Sequence, residues 1–214
     1  MTDSEPRQQF EERVRHLCEQ EDYDGAVTLL LERYGGELLG FMTGRLHDET
    51  AACEVFSMMA ENLWRGLAAF QWRSSAREYA YAIARNAIAG YLRAPERRSD
   101  RNIPLSQANH ISRLVDRVRT RTLPHMRTEI KDKIRLLREQ LAPDDQDLLI
   151  LRVDRDFSWR EVAYVMRGDQ TPLEGEALKR ETARLRQRFH HIKEQLGELA
   201  REAGLLPLEP EPEP

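Results

Sequence analysis

The chain has 214 residues, 33% of them charged and 40% apolar, and carries a net charge of −4 at neutral pH. No apolar run approaches the ~20 residues that span a bilayer, and the polar, acidic start MTDSEPRQQFEERV has no secretory-signal pattern, so a cytoplasmic protein without a membrane segment is expected. The two cysteines, Cys18 and Cys53, lack CxxC spacing and point to neither a disulfide framework nor a zinc site; the length suits two small domains, each with a modest core.

Apolar periodicity predicts helices throughout, and no stretch keeps the period-two alternation of a strand. Phe10, Val14, Leu17 and Cys18 mark a first helix over about residues 8–20. A second covers 24–33, with Ala26, Val27, Leu30 and Leu31 apolar; a third runs through 37–45, and a long fourth through 50–67. After a loop at 69–74 comes a sharply started helix. Ser75 and Glu78 have the spacing of a capping box, and Pro95 stops the helix about five turns later. At roughly 100° per residue, Ala82, Asn86, Ala89, Gly90 and Arg93 share one flank. That flank offers an amide, a guanidinium and little bulk, so a backbone or a base could approach it closely. Ala76, Ala80, Ile83, Ala87 and Tyr91 make the core-seeking side.

A connector over 99–124 contains Pro104 and Pro124 and one short helical candidate at 111–121. Beyond it, Ile130, Ile134, Leu137 and Leu141 give an amphipathic helix. Pro143 opens the next, with Asp144 and Asp145 in the first turn, where the helix dipole favours anions. Its apolar set is Leu148, Leu149, Leu151 and Val153. In FSWREVAYVMRG, Ser158 and Glu161 form a second capping box, Phe157 and Val162 have the spacing of a hydrophobic staple, and Gly168 suits a left-handed stop. A last helix over 176–199 carries the core stripe Leu178, Leu185, Phe189, Ile192, Leu196 and Leu199, with Lys179, Arg180, Arg184, Arg186 and Arg188 projecting elsewhere. A short helix, a turn and a basic helix make a helix-turn-helix, whose long donors suit phosphate and base-edge contacts in a major groove.

Charge follows the same organisation. The net is −8 over residues 1–70, +4 over 71–101, +6 over 102–138, −6 over 139–176, +5 over 177–193 and −5 over 194–214. Basic blocks fall on the flank-bearing helix, the connector and the last helix, and such stripes are what a polyanion feels at close range. Catalytic motifs are missing: there is no Gly-rich phosphate loop, HExxH, CxxC or GxSxG. The adjacent His190 and His191 point about 100° apart on a helix and cannot chelate one ion together. Acidic clusters at 48–49, 144–147 and 154–156 read as caps and solvated turns. The tail GLLPLEPEPEP reads as disordered. Neither an enzyme nor a cofactor or metal site is expected.

The run YAYAIARNAIAGYLR resembles the promoter-melting, −10-reading helix of bacterial RNA polymerase sigma factors, in particular the short extracytoplasmic-function (ECF) group. Tyr79, Ala80, Tyr81, Ile83, Ala84, Arg85 and Asn86 fall on the family pattern without a gap. Upstream, 34–70 looks like the preceding helices, including the ending at Leu63, Trp64, Leu67 and Phe70; 141–189 looks like the C-terminal helix-turn-helix. The resemblance implies an all-α fold with a region 2-like bundle and a region 4-like helix-turn-helix. The parts are an N-terminal helical extension (1–21), the region 2-like domain (22–98), a linker (99–125), the region 4-like domain (126–200) and the tail (201–214).

What the resemblance implies functionally is promoter-specific initiation. The partners would be core RNA polymerase, through its β′ clamp helices and β flap, and promoter DNA, with an anti-sigma protein as a further candidate. A flipped base of the −10 non-template strand would be captured near the 69–74 loop. Trp72 and Tyr79 offer stacking faces there, and Arg73, Arg77, Arg85, Asn86 and Arg93 phosphate or base contacts; a core position for Trp72 is equally compatible. Lys179, Arg180, Thr182, Arg184 and Arg186 would meet the −35 element. Glu181 replaces a family arginine, and the turn over 169–177 is about four residues longer than the family's. On the polymerase-docking face, where the family carries an Ala-Glu-Asp-x-x-Gln-Glu pattern, the aligned residues are Ala52, Cys53, Glu54, Ser57 and Met58. Glu54, Ser57, Met58 and the following Glu61 are the docking candidates, and Met58 with Met59 is either a softer surface or core. The linker would thread the polymerase, although a solvated connector would read alike. The alternative is a sigma-derived regulator that binds DNA or protein without initiating transcription.

Overall fold

The computed structural model describes residues 5–93, 105–122, 135–168 and 173–206. Helices dominate them, with no strand among the described residues. The chain divides into two compact units, Met1–Arg127 with Tyr164–Leu173, and Thr128–Ala163 with Glu174–Pro214. No helix among the described residues is long and apolar enough to cross a membrane.

The first unit is built from α1 (Arg7–Glu19), α2 (Tyr23–Leu46), α3 (Glu49–Leu67), α4 (Ala76–Arg93) and α5 (Leu105–Thr122). Asp22 caps α2 through the Gly25 N–H (2.9 Å), and Asp48 caps α3 through Thr50 and Ala51. The left-handed His47 (φ +53°) stops α2 between them. Val27, Leu30, Leu31, Leu38 and Leu39 of α2 and Val55, Phe56, Met59 and Leu63 of α3 are fully buried. α1 adds Phe10 and Val14, with Phe10 set edge-on to Tyr34 at 5.4 Å. Cys53 is buried and Cys18 half-buried; burial, with the nearby Asp22 and Glu19 carboxylates, pushes the Cys18 thiol up to about 11, so it stays protonated and inert at neutral pH.

The two helices expected at 24–33 and 37–45 are one. Gly35 and Gly36, which fall between the two expected spans, lie inside α2, and tertiary packing explains Gly35. A Cβ on Gly35 would stand 2.9 Å from a Val118 methyl of α5, so the glycine is the notch into which α5 seats. The connector candidate is likewise longer and better packed than expected: Ile111, Leu114, Val115 and Val118 of α5 are buried in the first unit. Gly35→Ala should lose about 1–3 kcal/mol by overpacking a stiff β-branched neighbour, more than the ~1 kcal/mol alanine gains over glycine in a helix. In a Val118→Ala background the same change should turn stabilising. Urea unfolding of the four proteins reads the sign, and one sign in both backgrounds would refute the notch.

In the second unit α6 (Pro143–Leu149) has Pro143 in its first turn and Asp144 and Asp145 beside it, as the capping argument predicts. It widens into a π-turn over Ile150–Asp154. The extra residue per turn shifts the phase of the helix, which is why Val153, expected in the core, is 54% exposed while Leu148, Leu149, Ile150 and Leu151 are buried. α7 (Trp159–Arg167), which belongs to the second unit as far as Ala163 and to the first from Tyr164 on, starts at the second capping box, where Ser158 N donates to Glu161 (2.6 Å) and Glu161 N to Ser158 (3.4 Å). Phe157 and Val162 are fully buried, and Gly168 is left-handed at φ +68°. α8 (Gly175–Glu202) buries Leu185 and Ile192, with Leu178, Phe189, Leu196 and Leu199 half-buried. Ile130, Ile134, Pro95, residues 169–172 of the turn and 207–214 of the tail lie outside the described residues.

Candidate nucleic-acid interface

The loop between α3 and α4 is shaped by aromatic rings. Phe70 stacks on Tyr79 at 4.2 Å with 13° between planes, and Trp72 tilts against Phe70 at 4.8 Å. Trp72 is half-buried and takes a left-handed backbone, φ +55°. For a bulky residue that conformation costs ~1–3 kcal/mol and persists only where its surroundings over-determine it. Beyond the loop, Ser75 caps α4 as the spacing predicts: Glu78 N donates to Ser75 Oγ (3.1 Å), and that hydroxyl, in place of the backbone N–H of a full capping box, donates to the Glu78 carboxylate (2.9 Å).

Two residues assigned to nucleic acid are engaged inside the bundle instead. Tyr79 is 3% exposed, its ring covered by Phe70, and burial pushes its hydroxyl pKa up. It supports the loop and offers no stacking face. Arg77 donates to the Glu37 carboxylate through Nη2 (2.7 Å) and Nε (3.2 Å), and its guanidinium lies 5.7 Å from the Tyr34 and Tyr81 rings. Arg77→Ala should cost about 1–2 kcal/mol, because Glu37 then loses its cation but keeps the Tyr81 hydroxyl (3.3 Å) and some access to water. Urea unfolding at parental stability would return Arg77 to the interface.

The remaining residues stay at the surface. Arg73, Asn86 and Arg93 are exposed and Arg85 is half-exposed. Arg85, Asn86 and Arg93, with Ala89, span an arc of roughly 100° on α4. Asn86 donates to the Gly168 carbonyl, in the same compact unit (3.1 Å), and Arg93 to the Ala89 carbonyl (3.1 Å). The flank expected to be open is narrower than its sequence suggests, since Ala82 is buried, as are Tyr81, Ala84 and Ile88 outside the expected core side.

On α3, Glu54, Ser57, Met58 and Glu61 are all half-exposed and recur at helical spacing as one stripe, whereas Met59 is fully buried. The two methionines thus divide between surface and core.

In the second unit three of the five expected cations of α8, Lys179, Arg184 and Arg188, have carboxylate neighbours. Lys179 pairs with Glu176 (2.7 Å), and Glu181 holds Arg184 by a two-point fork (2.7 and 3.0 Å) that raises the arginine's pKa further. Arg188 is bound to Asp145 of α6. Thr182 donates to the Lys179 carbonyl (3.0 Å). Arg180 and Arg186 are exposed. Arg186 lies over the Trp159 ring (5.8 Å), which also carries Arg152 (5.3 Å) and packs edge-on to Phe189 (5.6 Å). Arg152, Trp159, Lys179, Thr182 and Arg186 line one groove. Sequence reasoning missed Trp159 and Arg152; the π-turn that sets Arg152 has no local signal, while Trp159 follows directly on the capping serine.

Among the described residues no cluster of His, Cys, Asp or Glu is arranged to hold a metal; His190 and His191 both reach Glu194 (3.2 and 3.1 Å). Residues 30–98 match the family model described as Sigma-70 region 2, a span that holds most of α2, α3, the aromatic loop and α4. The match supports a sigma-70 family factor. No curated protein matches the chain.

Proposed function

We propose that this protein is an ECF-type sigma factor that binds core RNA polymerase and directs promoter-specific initiation by DNA binding and −10 melting. The observation that carries the reading is the region 2 match over 30–98 together with an accessible α3 stripe and a strained aromatic loop within it. In this reading Glu54, Ser57, Met58 and Glu61 meet the β′ clamp helices. Trp72 takes the flipped base, and Arg73, Arg85, Asn86 and Arg93 hold the strand that carries it. The second unit, through Lys179, Thr182 and Arg186 of the groove and through Arg180 and Arg184 elsewhere on α8, reads the −35 element and meets the β flap. Binding to core polymerase should be seen as co-elution at micromolar concentration, followed by promoter-dependent transcription. A folded protein that does not co-elute would count decisively against the reading.

The Glu181 fork on Arg184 and the Glu176 pair on Lys179 favour a second reading, a sigma-derived regulator whose DNA contact is weakened. Co-elution without transcription from any promoter would select it.

A further inference from the structure

α1 lies before the matched span and has no part in the reading above. Yet three of its side chains, Arg7, Glu11 and Arg15, recur every four residues and so share one face. All three engage the segment running from the loop into α4. Arg7 donates to Ser75 Oγ (3.1 Å) and stands 3.6 Å from the Glu78 carboxylate, the two partners of the α4 cap. Glu11 accepts from the N–H groups of Ala76 (2.7 Å) and Arg77 (3.4 Å), the first two residues of α4. Arg15 sets its guanidinium 5.8 Å from the centre of the Trp72 ring while pairing with Glu19 (3.1 Å).

These contacts answer two local needs. The opening N–H groups of a helix have no intrahelical acceptor, and a carboxylate there also meets the positive end of the helix dipole. Glu11 is half-buried, and burial drives its carboxyl pKa up against the two backbone bonds and the Arg7 and Arg33 charges. A carboxyl placed at a helix start does work that Ser75 alone does not do. Trp72, for its part, needs neighbours that hold an unfavourable backbone, and the described ones are Phe70 and Arg15.

We propose that α1 is a clamp that holds the 70–75 loop in its base-receiving shape, with Glu11 and Arg15 as positioning residues for capture of the −10 base. The proposal rests on the reading of that loop as the capture site. Arg15 fixes the indole by lying over its face, and Glu11 fixes the start of α4 on which the loop lands.

Two measurements test it on the full chain. In a protein carrying W64F and W159F, Trp72 is the only tryptophan left, and its quenching by acrylamide reports the loop directly. Arg15→Ala and Glu11→Gln should raise the quenching constant, Arg15→Lys should restore it, and Glu11→Gln keeps the packed volume should Glu11→Ala fail to fold. With core polymerase and a promoter holding 2-aminopurine in the non-template strand of its −10 element, Arg15→Ala should slow opening roughly threefold at unchanged polymerase affinity, with Arg15→Lys rescuing it. Unchanged quenching in both variants would overturn the clamp. Raised quenching with opening as fast as the parent's would overturn the positioning role. A parent that opens no promoter would overturn the −10 reading and the positioning role with it, while quenching still decides whether α1 holds the loop.

Discussion

Trp72→Ala should slow promoter opening by about an order of magnitude while leaving polymerase affinity at the parental value. The indole is the one ring of the loop cluster that is not fully buried: Phe70 and Tyr79 face each other at 4.2 Å, whereas Trp72 is half-exposed and held by a left-handed backbone. Stacking of one base on an aromatic side chain contributes ~1–3 kcal/mol, and the α3 stripe proposed to meet the polymerase lies on a different element from the ring. The split between opening and affinity is therefore the diagnostic feature. Asn86→Ala should act in the same direction but less, about fivefold, as expected for one lost hydrogen bond of ~1 kcal/mol. Tyr79→Phe gives the internal control. Its ring supports Phe70 from below the surface, so losing the hydroxyl should leave opening unchanged. Stopped-flow fluorescence with 2-aminopurine in the −10 non-template strand measures all three. Opening by Trp72→Ala at the parental rate would move the base-capture site away from this loop.

What the sequence made legible is the part of the fold that local chemistry decides. The starts of α4 and α7 follow from Ser75 with Glu78 and Ser158 with Glu161, because such a cap is closed within four residues. Gly168 could be read as a stop for the same reason. What stayed hidden depends on partners far along the chain. Arg77 looked like a phosphate ligand because its helix ends in arginines, but Glu37, forty residues earlier, binds it. Tyr79 looked like a stacking face until Phe70 was placed on it. Glu11 gives no signal in its own helix, since its acceptors' partners are the N–H groups of Ala76 and Arg77. The expected spans 24–33 and 37–45 left Gly35 and Gly36 between them, and only the packing of Val118 against Gly35 explains a glycine inside one continuous helix. Val153 failed for a different reason: a π-turn changes the period on which the apolar stripe was counted.

α8, the proposed recognition helix, should show its charges in salt titrations. Each phosphate neutralised on duplex DNA contributes roughly −0.9 to the slope of log K against log salt. Arg180 and Arg186 are exposed, and Arg186 is steadied on the Trp159 ring, so both are ready to meet phosphate or base. The double variant Arg180→Ala/Arg186→Ala should flatten the slope by about 1.8 and remove preference for the cognate −35 sequence, with Leu185 and Ile192 keeping α8 packed. Glu181→Gln should do the opposite. The fork from Glu181 occupies the Arg184 donors that a phosphate would use, and its charge faces the same polyanion. An exposed pair of this kind is worth only ~0–1 kcal/mol, so it weakens binding without abolishing it. Freeing Arg184 should steepen the slope by up to about 0.9 and tighten binding severalfold. Fluorescence anisotropy of the full chain on a labelled duplex, across a range of salt, gives both numbers. If the double variant keeps the parental slope and sequence preference, α8 is not the reader, and the −35 assignment of this groove falls whatever happens at Glu181.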